Sequence, residues 1–73
     1  MKFTEFLVMD SVLNINHFAT GLKCSNLRLR AMVCQKDMAK LMKVSAPMLC
    51  DLEQGKRKWN PNLAHRAIKA LKL

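Results

Sequence analysis

The side chains of this chain that are best suited to chemistry are cationic, and that chemistry is the binding of anionic oxygen. Thirteen Lys and Arg stand against five Asp and Glu in 73 residues, a formal net charge of +8. Lys56-Arg57-Lys58 is the densest basic run. This balance favours a polyanionic partner, nucleic acid before an anionic membrane surface. The sets that catalysis needs are missing. There are no paired carboxylates, no Cys–His spacing and no glycine-rich phosphate loop, and so short a chain rarely frames a water-excluding pocket, so no enzyme is expected. Cys24, Cys34 and Cys50 are separated by nine and fifteen residues, an odd set that fits neither a disulfide framework nor a zinc site. His17 and His65 stand apart from them. The cysteines therefore read as small buried hydrophobes, and neither a metal nor a cofactor is expected.

The elements that must position these cations begin with an uneven charge distribution. Residues 1–20 carry Lys2, Glu5 and Asp10, a net of −1, while residues 21–73 carry twelve bases against Asp37, Asp51 and Glu53, a net of +9. The division is thus a nearly neutral apolar arm over 1–20 and a basic module over 21–73. At 51% apolar residues the chain is no disordered polybasic tail. No apolar run exceeds the four residues seen at Phe6 to Met9, far too few for a transmembrane helix. The first twenty residues have the wrong charge pattern for a secretory or transit signal, so a cytoplasmic protein is expected.

The arm has two readings. Alternation in Leu13-Asn14-Ile15-Asn16 suits a strand, with Asp10-Ser11 as a turn between short extended pieces; a single helix over 4–14 fits as well. Either way Phe3, Phe6, Leu7, Val8 and Val12 are too much apolar surface to leave wet. The arm is therefore expected to pack on the module, on a second copy, or on both.

The basic module reads as helices. Thr20 suits a cap for a helix over 22–32 with Leu27 facing inward. Met38, Ala39, Leu41 and Met42 recur at three and four over 35–42. Lys43-Val44 reads as a turn before Ser45, an N-cap opening a helix over 46–54 with Pro47 in its first turn. Gly55 stops that helix. Asn60-Pro61 opens a last helix, with Leu63, Ala64, Ala67, Ile68 and Leu71 on its apolar face and Arg66, Lys69 and Lys72 on its basic one.

Two short helices joined by a tight turn, inside a basic chain, make a helix-turn-helix. Close crossing requires a small residue in the first helix, and Ala39 supplies it. Met38, Met42, Val44, Leu49 and Leu52 fill the wedge. Ala46, Pro47, Met48, Cys50 and Asp51 are left as the outward positions of the second helix.

Leu27-Arg28, Gln35-Lys36-Asp37-Met38-Ala39, Val44-Ser45 and Leu52-Glu53-Gln54-Gly55-Lys56-Arg57 together resemble the Cro/cI-type, or XRE, helix-turn-helix family. The likeness runs over 22–72, about two-thirds of the chain, and leaves the arm outside it. It implies a mainly α fold, a Cro/cI-like bundle of four to five helices with an N-terminal arm that is extended or helical. Chains of this size in the family include prophage repressors, restriction-modification controllers, antitoxins and anti-CRISPR-associated autoregulators.

The resemblance also implies roles for single residues. Gln35 resembles the glutamine that hydrogen-bonds a DNA phosphate. Ser45 is an N-cap whose hydroxyl or neighbouring amide turns to phosphate. Ala46, Pro47 and Asp51, with Met48 beside them, stand where the family reads bases in the major groove. None is Gln, Asn or Arg, so the bidentate reading of purines is replaced by thymine-methyl contact from Ala46 and Met48, and by cytosine contact from Asp51. Lys56, Arg57 and Lys58 follow, where the family's loop runs along the sugar-phosphate backbone, with Trp59 packing beneath. Arg28 and Glu53 match a partly buried structural ion pair. Lys43 replaces a turn glycine of positive φ, and its ammonium comes within reach of DNA. Cys34 replaces the usual Ser or Thr cap.

These roles imply a homodimeric repressor of its own or a neighbouring operon, on double-stranded DNA with a palindromic operator. The contrasting expectation is an antitoxin-like interaction module, whose arm holds a protein partner. Membrane binding is not expected, because the bases are spread over several helices.

Overall fold

Three of the helices begin where a short polar side chain turns back onto its own first turn. The computed structural model describes residues 1–73. It orders them as α1 (Phe3–Phe6), β1 (Met9–Ser11), β2 (Asn14–Ile15), α2 (His17–Arg30), α3 (Gln35–Met42), α4 (Ala46–Glu53) and α5 (Pro61–Ala70). The fold is mainly α, five helices and one two-stranded antiparallel ladder. Asn16 accepts the Ala19 N–H at 2.9 Å, Ser45 that of Met48 at 3.2 Å, and Asn60 that of Leu63 at 2.8 Å. Each satisfies a donor that the helix leaves unpaired. Pro47 and Pro61 sit in the first turns of α4 and α5, where no N–H is needed. Cys34, ahead of α3, makes no side-chain cap.

The second helix departs from the sequence expectation at both ends. It starts at His17 and stops at Arg30, because Met32 turns into the left-handed region at φ 58°. Thr20 is not its cap. The residue is fully buried inside α2, and its hydroxyl accepts the Val8 N–H at 2.9 Å. The chain already turns at Asn16, whose own N–H reaches the Val8 carbonyl at 2.7 Å. One turn into α2, Gly21 passes so close to α4 that a Cβ there would collide with the Leu52 carbonyl oxygen. Helix α4 ends one residue early, with Gln54 as its C-cap.

The start of the arm contributes Phe6 and Leu7 to the core, with Phe3 packed against it. Phe6 and Leu7 are buried with Cys24, Met38, Met42, Leu49, Leu52, Trp59 and the apolar face of α5. The Phe6 and Trp59 rings lie 5.4 Å apart, tilted at 55°. Helix α1 thereby packs on α5 and α2, and α2 begins before the expected boundary at residue 21.

The arm combines parts of both readings, one helical turn and then a hairpin. Its turn falls at Val12-Leu13 rather than Asp10-Ser11. Asp10 sits in β1, where its carboxylate accepts the Asn16 side-chain N–H at 3.0 Å, and Ser11 pairs with Asn14. Val12, expected to be covered, is 92% exposed and Leu13 95%, because the hairpin tip projects beyond the core. Of the cysteines only Cys24 is buried. Cys34 is exposed outside the apolar face of α3, and Cys50 is half-exposed on the outer face of α4. No helix is long and apolar enough to cross a membrane.

Candidate nucleic-acid interface

Helix α3 ends because Lys43 adopts φ 59°, ψ 41°, which lets the Lys43 and Val44 N–H groups return to carbonyls of the last turn, Val44 to Ala39 at 3.0 Å. The chain reverses within three residues and Ser45 opens α4. Ala39 is buried where the two helices meet, flanked by the fully buried Met38, Met42, Leu49 and Leu52. The α3–turn–α4 unit is thus held from inside, leaving one side of α4 uncovered.

Spacing decides which residues lie on that side. Pro47, Cys50, Asp51 and Gln54 recur at three and four and are exposed or half-exposed. Ala46 and Met48 do not stand fully outward as expected. Both are half-buried against the core, because Ala46 lies one turn before Leu49 and Met48 one turn before Leu52. The residue missing from the expected surface is Gln54. It is exposed, and its Nε2 donates to Cys50 Sγ at 3.3 Å. As an amide it offers the donor and acceptor pair that the earlier positions lack. Its place is legible at three residues past Asp51, but the following Gly55 marks it as a helix end.

Beyond α4 the chain turns at Gly55, φ 77°, into exposed Lys56, Arg57 and Lys58. This loop is pinned at both ends. The Lys56 N–H reaches the Asp51 carbonyl at 2.8 Å. Trp59 is buried, with its indole N–H on the Leu52 carbonyl at 3.0 Å and its backbone N–H on His17 Nδ1 at 2.8 Å. Burial leaves the ring packing under the loop. Three cations are therefore displayed beside α4 on a short tether between fixed points.

Arg28 and Glu53 join α2 to the end of α4. Arg28 Nε lies 2.8 Å from one carboxylate oxygen and Nη2 3.2 Å from the other, while Nη1 donates to the Val33 carbonyl at 3.0 Å. The side chains are only 12% and 6% exposed. Hydrogen bonding to Glu53 raises the Arg28 pKa further above its ordinary value. Burial, and then the Glu53 charge, push the Cys24 thiol up to about 12. Gln35, expected to face phosphate, instead donates from Nε2 to Glu53 Oε1 at 3.0 Å. The carboxylate has an open lone pair within reach, so the amide is drawn inward. A phosphate contact from Gln35 must use its second amide hydrogen.

Lys43, Ser45, Pro47, Lys56, Arg57 and Lys58 are all exposed. The Ser45 oxygen accepts in its cap while its own hydrogen remains free to donate. No group of three His, Cys, Asp or Glu is placed to hold a metal ion. No protein-family model matches the chain, and no curated protein matches its sequence.

Proposed function

We propose that this protein is a sequence-specific double-stranded DNA-binding transcriptional regulator, an XRE-type homodimeric repressor of its own or a neighbouring operon. The observation that carries the reading is the uncovered face of α4, bounded by Lys43 at one end and the tethered Lys56-Arg57-Lys58 loop at the other. An α-helix fits the major groove, and cations at both of its ends then lie over flanking phosphates. Gln54 and Asp51 are the base-reading side chains in this arrangement, with Pro47 closing the N-terminal end and Ala46 and Met48 in marginal contact. With so few long donors, groove shape carries part of the specificity.

One chain measures 32 × 24 × 19 Å. Two copies are needed to place α4 in successive major grooves, about 34 Å apart on a palindrome. The surface assigned to the dimer is the hairpin tip with the exposed apolar face of α2. Phe18, Leu22 and Leu29 recur there at four and seven, 65%, 51% and 61% exposed. Repression then works by occlusion of the promoter.

The test is fluorescence anisotropy on the DNA upstream of the protein's own gene and on a scrambled duplex. A preference on the order of 10³-fold or more, with two chains per site, supports the reading. Equal, weak, salt-sensitive binding to both duplexes overturns it.

The near-complete exposure of Val12 and Leu13 favours a second reading, in which the hairpin holds a protein partner and DNA binding is secondary. Val12→Ser with Leu13→Ser separates the two. Loss of two-chain occupancy on DNA supports the dimer surface, and unchanged stoichiometry supports the partner.

A further inference from the structure

Between the α3–α4 turn and α5 lies an open cleft of about 330 Å³, lined by Lys43, Asn62, His65, Arg66 and Lys69 together with Leu41 and Met42. Its lining holds three permanent cations and no carboxylate, unlike Arg28, whose charge is met by Glu53. Like charges gathered this closely repel, and an anion between them removes that cost. Two of the groups, Arg66 and His65, are also held in place. Arg66 is half-buried and rests one N–H on the Met42 carbonyl at 3.4 Å, leaving the rest of its donor fork available. The His65 ring packs on Phe3 with centroids 4.9 Å apart. Lys43 is set by the left-handed turn, and Lys69 follows Arg66 by one helical turn.

We propose that this cleft binds a phosphodiester group of a nucleic-acid backbone, with Lys43, Arg66 and Lys69 neutralising it and Asn62 and His65 adding hydrogen bonds. The ligand is a backbone phosphate rather than a nucleotide, because the lining holds no Phe, Tyr or Trp and its one ring, His65, is already packed on Phe3. Lys43, in the cleft wall, lies two residues before Ser45, the N-cap of α4. A duplex seated on α4 therefore brings a flanking phosphate to the cleft; this step rests on the DNA-binding reading. Contact from α5 adds an anchor at the opposite end of α4 from the Lys56-Arg57-Lys58 loop.

The experiment measures the slope of log K against log salt for a duplex, using wild type, Lys43→Asn alone, the cleft variant Lys43→Asn with Lys69→Gln, and Lys2→Gln with Arg30→Gln as a charge-matched control outside the cleft. The cleft variant changes exposed residues only, and asparagine suits the left-handed position. Removing Lys69 as well makes its slope shallower than that of Lys43→Asn alone, by up to about 0.9, with the control unchanged. A slope in the cleft variant equal to that of Lys43→Asn alone, or an equal loss in the control, overturns the proposal. Should wild type fail to bind duplex, the DNA-binding reading falls, and inorganic pyrophosphate titrated into the ¹⁵N-labelled protein decides the cleft alone. Saturable shifts at Lys43, Asn62 and Arg66 amides, lost in the cleft variant, support an anion site there; no shifts overturn it.

Discussion

The Arg28 guanidinium closes Nε and Nη2 on the two oxygens of the Glu53 carboxylate, at 2.8 and 3.2 Å. Helix α2 is thereby fastened to the last residue of α4 by a pair shielded from water. Glu53→Gln leaves the arginine charge without its partner, and roughly 3–5 kcal/mol of stability should be lost. Chemical denaturation of E53Q, R28M and the double variant measures the coupling. The two losses should be far from additive; additive losses mean that the pair contributes little.

Cys24 makes stability sensitive to alkali. Its thiol rises from an ordinary value of 9.0 to about 12 in the fold, for reasons of burial first and the Glu53 charge second. Between these values the unfolded chain gives up a proton that the folded one keeps, so stability falls as pH increases. The contribution is fully present below pH 9 and is lost towards pH 12. Thermal unfolding of Cys24→Ala over that range should decline less steeply than wild type, after allowing for its lower baseline.

Met32 and Lys43 hold left-handed backbone at φ 58° and 59° without being glycine. Each such residue costs on the order of 1 kcal/mol. Met32 is 93% exposed, so Met32→Gly gives up almost no packing and should raise the melting temperature by about 4–8 °C for each kcal/mol gained. Lys43→Gly should stabilise similarly while weakening DNA binding. A fall in the melting temperature of M32G would contradict this account.

Under the proposed DNA-binding function, Gln54 and the two lysines that flank Arg57 should divide the work of recognition, a division measurable on operator and scrambled DNA. Gln54→Ala should cost about 1–3 kcal/mol on the preferred sequence alone. Lys56→Gln and Lys58→Gln should weaken binding to both duplexes and flatten the salt slope by about 0.9 each. Equal loss on both duplexes for Q54A removes Gln54 from base reading.

Local chemistry explains which parts are legible in sequence. The starts of α4 and α5 are fixed within a few residues, by Ser45 with Pro47 and by Asn60 with Pro61, so the chain alone reveals them. Positive φ at Lys43 is legible only through the family resemblance, which has a turn glycine at that position. The start of α2 is not. Thr20 looks like a cap until Val8, twelve residues earlier, supplies the N–H that its hydroxyl binds. Gln35 is drawn inward by Glu53, eighteen residues away. Ala46 and Met48 sit deeper than their motif positions imply, because helical spacing ties them to Leu49 and Leu52. The cleft at Arg66 needs the turn and α5 brought together, which no local signal records.

Where Gly21 meets Leu52, backbone rests on backbone with no side chain between them. Side chains act as springs in most helix contacts, yielding by rotation when one helix tilts. This contact has no such give, and Arg28 with Glu53 locks the same two helices a further two turns along α2. Helices α2 and α4 therefore share a single orientation. The hairpin that leads into α2 and the exposed face of α4 belong to one lever, and its fulcrum is a missing methyl group.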